Sequence, residues 1–253
     1  MSNHYIEQSL IAPVHKVTVS VLGVGGTGSA VLAILARMNA GLIGLGHPGF
    51  FVTSYDGDVV TESNIGRQLF SKSDLGFNKS DLTMERINRF YGTNWDSINQ
   101  NFRINYDEPK LPFNIIITCV DNIETRKDIQ FAKTKQQKTG VPYEKCWYWL
   151  DFGNGKNFGQ AILGTMNEIE QPENGINILP TVMEEFDNKE MIKDKDEPSC
   201  SVLESLNRQD LLVNTTLSEF GMNLIWKLFR NFKTSQRGVF VNLNSMSVNP
   251  ITI

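Results

Sequence analysis

The sequence is poor in cysteine, in basic surplus and in uninterrupted apolar length. Its 253 residues include three cysteines, Cys119, Cys146 and Cys200, with no CxxC pair among them. An odd, sparse set excludes a disulfide framework and fits a reducing, cytoplasmic compartment. The net charge of −4 lacks the basic excess of a nucleic-acid-binding surface, so no nucleic-acid partner is expected. The most apolar stretch, Val31 to Phe51, is broken by Arg37, Asn39, His47 and Pro48, so no membrane span is expected. The N-terminal run Met1 to Ser9 is polar, unlike a signal peptide. Internal repeats and low-complexity tracts are also missing.

What is present is globular. Apolar residues make up 40% and charged residues 21%, and a chain this long buries a core without metal or disulfide staples. The charge is uneven. Between Asn167 and Cys200 stand ten Asp or Glu and three Lys, a net −7 that leaves +3 for the rest. A mildly basic remainder suits an anionic ligand. It equally describes an ordinary surface beside a solvated acidic loop.

The informative stretch is Val17 to Arg67. A strand pattern, Val17 to Leu22, leads into a loop with Gly23, Gly25, Gly26 and Gly28, then an apolar helix from about Ser29 to Met38. A second strand, Phe50 to Tyr55, ends at Asp56. Strand, glycine loop, helix, strand and acid is the layout of a nucleotide-binding half-fold. Glycines there permit a tight turn and bring backbone N–H groups to phosphate oxygens at the positive helix end. GxGxxG alone also fits a NAD(P)-dependent oxidoreductase. Its ribose-binding acid lies about 20 residues on, whereas Asp56 is 28 positions past Gly28; that spacing does not decide the cofactor.

The run after Asp56 does. Asp56-Gly57-Asp58-Val59-Val60-Thr61-Glu62-Ser63-Asn64-Ile65-Gly66-Arg67-Gln68 resembles the DxDxVxxSNxxRQ signature of the ThiF/MoeB/HesA family, prokaryotic relatives of ubiquitin-activating enzymes. The loop GVGGTGS is similar to the family's GxGGxGS. Leu75 to Lys79 resembles its glycine-and-lysine segment, and Thr118 to Arg126 its (C/A)xDNxxxR motif. Four motifs in family order cover Val17 to about Arg126. More narrowly, the chain resembles the ThiF-related members of the PRTRC plasmid cassette.

The resemblance implies ATP-dependent adenylation of the C-terminal carboxylate of a small β-grasp, ubiquitin-like or sulfur-carrier protein ending in glycine. It also implies ATP and magnesium as cofactors and a homodimer. Such chemistry needs fixed cations, backbone donors and a metal around the reacting phosphate. The implied nucleotide site comprises Gly23, Gly25, Gly26, Gly28, Asp56, Asp58, Asn64, Arg67, Gln68, Lys79, Asp121 and Asn122. Asp56 would accept from ribose hydroxyls, and Asn64, Arg67 and Lys79 would hold phosphates. Asp121 would sit at magnesium, while Asp58 and Arg126 would support. Cys200, ending the acidic stretch, has the position of a thioester-forming cysteine in several relatives. Two departures stand out. Many relatives carry two CxxC pairs that bind zinc, so no zinc is expected here, and the N-terminal arginine segment that reaches a partner's site has no match. Each residue also has a plainer reading: Asp121 serving a helix start, Lys79 solvated, Arg67 in an ion pair, Cys119 a small core residue, Cys200 where a loop meets a helix. A non-catalytic nucleotide-binding scaffold is the remaining alternative.

The expected architecture is one α/β domain, 1–253, with a Rossmann-like open sheet, mostly parallel, and antiparallel strands added late. Its nucleotide-binding half covers about 16–140, a crossover loop about 167–200, and a C-terminal helix and strand about 209–253. Helices are expected over Lys79–Tyr91, from Asn122 to about Lys138, and over Gln209–Phe232. Further strands are expected over Ile98–Ile104, Ile115–Val120, Trp147–Leu150, Gln160–Met166 and Gly238–Leu243, with Asp151 to Gly155 turning. Met1–His15 reads as a loose lead-in with a short strand at Ile6–Ile11, and the tail after Asn249 as ordered only if docked.

Overall fold

A computed structural model describes residues 2–135, 141–186 and 209–253. In chain order the elements are β1 (His4–Tyr5), β2 (Val17–Leu22), α1 (Gly26–Gly44), β3 (Phe50–Tyr55), α2 (Lys79–Tyr91), β4 (Asp96–Ile98), β5 (Ile115–Thr118), α3 (Ile123–Lys135), β6 (Tyr148–Asn154), β7 (Phe158–Thr165), α4 (Val182–Glu185), α5 (Val213–Asn231), β8 (Lys233–Thr234), β9 (Gln236–Asn242) and β10 (Ser247–Thr252).

Eight strands form one sheet in the order β10-β9-β7-β6-β5-β2-β3-β4. From β4 to β6 the pairing is parallel; β7, β9 and β10 add antiparallel. The expected Rossmann-like sheet with late antiparallel strands is therefore the fold. Both faces are covered, and the side-chain period of two sorts residues between them. Ile115, Ile117, Tyr148, Leu150 and Phe152 join one core with Val31, Leu35, Leu217 and Ile225 of α1 and α5. Ile116, Trp149 and Ile162 join the other, with Ile129 of α3 and Val182 of α4. By length and composition α1 is apolar enough to span a membrane; here it is a core helix packed against the sheet and α5.

The chain runs from β2 outward to β3 and β4, then returns to the other side of β2 for β5 and β6. That reversal creates a crevice outside the carboxyl ends of β2, β3 and β5, where open α/β sheets bind ligands.

α2 has the expected bounds. Asn78 caps it by accepting from the Asp81 N–H at 3.0 Å, and Gly92 ends it at φ 68°. Several expectations need correction. α1 begins at Gly26 and continues to Gly44, because the glycines themselves form its first turn. The Ile98–Ile104 strand is instead Asp96–Ile98, the length that pairs with β3. Asp151–Asn154 does not turn: β6 runs straight through it, paired with β7. The tail after Asn249 meets its condition for order: it is docked, since Ser247–Thr252 closes a hairpin with β9. Within the expected loose lead-in, residues 3–11 are held in place, and Ile6–Ile11 is not a strand. Pairing there is His4–Tyr5 with β8, followed by a 3-10 turn at Gln8–Leu10. His4 is fully buried, bonding the Ile176 carbonyl at 2.6 Å and the Tyr148 hydroxyl at 2.9 Å. The expected helix end near Lys138 and the second half of the 167–200 crossover lie outside the described residues.

Candidate functional site

The glycines divide the work of the loop. Gly23 sits at φ +87°, and a Cβ there would lie 2.8 Å from the Cys119 carbonyl oxygen; the turn out of β2 needs glycine for both reasons. At Gly28 a Cβ would come 1.9 Å from the Gly23 oxygen, and at Gly26 it would strike the Asn214 side chain at 2.3 Å. Those two serve close packing. Gly25 differs. Its nearest neighbour would be Gln68 Nε2 at 3.8 Å, and it caps α1 without any side-chain hydrogen bond. Among the described residues the first N–H groups of this 19-residue helix therefore have no side-chain cap, and such groups at a positive helix end attract anions.

Asp56 closes the base of this loop. Its carboxylate accepts from the Val24 N–H at 2.6 Å and the Asp58 N–H at 2.8 Å and is 6% exposed. Burial pushes its carboxyl above the usual range, while those bonds and the nearby Lys79 ammonium pull it back. Asn78 pins the turn, donating to the carbonyls of Asp56 (2.8 Å) and Asp58 (3.0 Å). Lys79, the first residue of α2, donates to Asp58 Oδ2 at 3.0 Å. The lysine is buried and Asp58 is largely exposed.

The loop between β3 and α2 brings the next residues over. Asn64 Oδ1 accepts from the Thr61 N–H at 2.9 Å, a capping contact that shapes a 3-10 turn. Gln68 is buried beside Gly25, and among the described residues its Oε1 has no hydrogen-bond partner. Arg67 donates to Gln209 Oε1.

At the end of β5, Cys119 N–H bonds the Leu22 carbonyl at 2.8 Å, which sets the Val120–Asn122 loop against Gly23. Asp121 and Asn122 are exposed there, and Asn122 Oδ1 accepts from the Thr125 N–H at 2.9 Å as the cap of α3. Arg126 fixes the loop. It donates to Asp151 at 2.7 Å and to the carbonyls of Val120 and Phe152, each at 2.9 Å. Burial pushes the Asp151 carboxyl up, and Arg126 opposes it.

Three polar residues with no place in the motifs, Asn154, Gln209 and Asn214, complete the site together with Thr27. Asn214 Oδ1 accepts from the Thr27 hydroxyl at 3.0 Å and from Asn154, while its nitrogen donates to Gln209 at 3.0 Å. Thr27 lies inside the glycine motif at its variable position. Asn154, Gln209 and Asn214 come from distant segments, and nothing in their local pattern marks them.

Thus the structure gathers Gly23 to Gly28, Asp56, Asp58, Asn64, Arg67, Gln68 and Lys79 into one crevice, with Asp121 and Asn122 at its β5 rim. Cys200 lies outside the described residues. Burial pushes the Cys119 thiol well up, an inert setting. Among the described residues no group of three or more His, Cys, Asp or Glu is placed to hold a metal by itself. An exposed Asp121 suits magnesium, which takes one or two carboxylates and completes its shell with phosphate oxygens and water.

Comparison with known proteins fits this geometry. The ThiF family model matches residues 5–142, more than half of the chain. Ubiquitin-like modifier-activating enzyme 5 of Branchiostoma floridae is 28% identical over 170 residues, 62% of this chain and 37% of that protein. Its Drosophila willistoni counterpart is 29% identical over 133 residues, 47% of this chain and 30% of the relative. The chain spans about a third of the length of these curated relatives. Among solved structures, E. coli MccB with ATP superposes at TM-score 0.57 with 16% identity, over 93% of this chain and 63% of MccB. Selenomethionine PaaA gives 0.59 with 14% identity, over 94% and 64%. With the four motifs assembled around one crevice and a matched model across that half, the chain belongs to the ThiF family.

Proposed function

We propose that this protein binds ATP with magnesium and adenylates the C-terminal carboxylate of a small ubiquitin-like or sulfur-carrier protein, acting as a homodimer. The observation that carries the reading is the α1 N-terminus, open at Gly25 and without a side-chain cap, faced by Gln68 and by the loop of Arg67. Its orphan N–H groups hold phosphate oxygens. Arg67 and Lys79 offset phosphate charge, and Asp56 and Asn64 shape the turn on which they stand. In the reaction a carboxylate oxygen bonds to the α-phosphorus and the bond to pyrophosphate breaks. Asp121 would hold magnesium, which would supply charge neutralisation there. The relatives named as ubiquitin-like modifier-activating enzymes support this reading, as does the fold shared with MccB.

A thermal-shift panel with ATP–magnesium, AMP and NAD tests the ligand class. ATP–magnesium at 100-fold excess over its dissociation constant should stabilise by about 2.7 kcal/mol; stabilisation by NAD alone would overturn the reading. Transfer to Cys200 is a second step of the proposal. Cys200→Ala should keep ATP–pyrophosphate exchange yet lose any thiol-sensitive adduct with the carrier on a non-reducing gel. Persistence of the adduct would make Cys200 structural. The plasmid-cassette context is tested by the neighbouring reading frames, one of which should encode a small β-grasp protein ending in glycine.

A further inference from the structure

The amide chain between Arg67 and the glycine loop has a fixed direction. Arginine only donates hydrogen bonds, so the Gln209 atom facing Arg67 is its oxygen. The same oxygen takes the Asn214 N–H at 3.0 Å. Asn214 must then turn its own oxygen toward α1, where the Thr27 hydroxyl reaches it at 3.0 Å. Asn154 donates to that oxygen too. Each amide orientation follows from the donor-only guanidinium at one end, and Asn214 is only 2% exposed. Gly26 has no Cβ because Asn214 occupies that space.

We propose that Gln209 and Asn214 are positioning residues that hold the Arg67 guanidinium in register with the first turn of α1. They touch no substrate. They tie the start of α5 to the Arg67 loop and to the phosphate-facing helix end, and they do so with neutral groups. Neutrality is the functional point. A carboxylate at 209 would grip Arg67 more tightly and offset charge that a phosphate needs, whereas the amide oxygen orients it and adds no negative charge of its own. The role of Arg67 toward nucleotide rests on the adenylation reading; its placement by Gln209 does not.

The test uses the full chain with Gln209→Leu and Gln209→Glu, at a partly exposed position that tolerates change, and Asn214→Asp as a third variant. Two readouts are taken. Phenylglyoxal labelling of Arg67, quantified by peptide mass spectrometry without nucleotide, should rise severalfold in Gln209→Leu and fall below wild type in Gln209→Glu. ATP–magnesium affinity should drop in both, by about tenfold or more for one lost charge-assisted contact, with AMP affinity changed much less. A merely structural role would weaken ATP and AMP together and shift labelling the same way in both variants. Asn214→Asp, which cannot donate to Gln209, should raise labelling as Gln209→Leu does. Unchanged Arg67 labelling in Gln209→Leu and Gln209→Glu would overturn the proposal. If the wild type binds neither nucleotide, the adenylation reading fails, and the labelling result alone still decides whether Gln209 positions Arg67.

Discussion

Two ion pairs stand at the carboxyl ends of the same sheet, and they do opposite jobs. Lys79–Asp58 closes at 3.0 Å with the Asp58 side chain 67% exposed. Arg126–Asp151 closes at 2.7 Å with both side chains below 10% exposure. Arg126 also holds backbone carbonyls on two neighbouring segments. Withdrawing it would strand the Asp151 charge in the interior, where an unpaired ion costs far more than a surface one. The partner of Lys79 faces water and can be resolvated when another anion arrives. Nearness to the crevice therefore does not make a cation a ligand group; the cost of leaving its present partner does. By that measure Arg126 is a fixture that sets the Asp121 loop, and Lys79 is available.

The largest expected effect breaks the fixture. Arg126→Ala should destabilise by about 3–5 kcal/mol, and at about 2–4 °C per kcal/mol for this size the melting temperature should fall by roughly 10 °C. Differential scanning calorimetry reads this directly. Next comes the functional cation. Arg67→Ala should lower ATP–pyrophosphate exchange by about 10²–10³, the loss typical of one fixed transition-state donor, with a melting temperature close to wild type. A third variant sharpens the contrast, because His4 is a buried basic group without a carboxylate partner among the described residues. Burial pushes its pKa below the usual value, so the Nδ1 proton donates to the Ile176 carbonyl and Nε2 accepts from the Tyr148 hydroxyl. Below pH about 6.5 the unfolded chain takes up that proton first. Stability should therefore decline as pH falls through that value and towards the lower folded pKa. Denaturant titrations of His4→Gln should lack this part of the slope. The smallest effect is at the rim. Asp58→Ala should cost no more than about 1 kcal/mol, because its side chain is 67% exposed and readily resolvated. A loss matching that of Arg126→Ala would erase the distinction between the pairs.

Much of this crevice was legible because its residues are contiguous. The strand Val17–Leu22, the glycine loop, Asp56 to Gln68 and Lys79 carry their order in the chain, and apolar runs such as Ile115–Thr118 announce a strand covered on both faces. The glycine roles were only half legible. Gly25 leaves the start of α1 open, as a phosphate loop requires, while Gly26 and Gly28 answer to Asn214 and the Gly23 carbonyl, contacts made by folding. Asn154, Gln209 and Asn214 were invisible for the same reason: a lone amide carries no period and no spacing. Asp151 was misplaced in a turn because Gly153 and Gly155 resemble turn residues, whereas pairing with β7 carries the strand through to Asn154. The tail was expected to be ordered only if docked; the strand that docks it, Ser247–Thr252, was not read because Pro250 and Asn249 are poor strand formers, tolerated on an edge strand.

The central claim, that this crevice activates a carboxylate, is tested most directly by ATP–pyrophosphate exchange with a small β-grasp carrier protein ending in glycine, comparing wild type with Asp121→Ala. Label should enter ATP only when carrier and wild-type protein are both present. Asp121→Ala should abolish the exchange while melting as the wild type does, since Asp121 is exposed and fills no core volume. Equal exchange by Asp121→Ala, or none by the wild type with that carrier, would contradict the account.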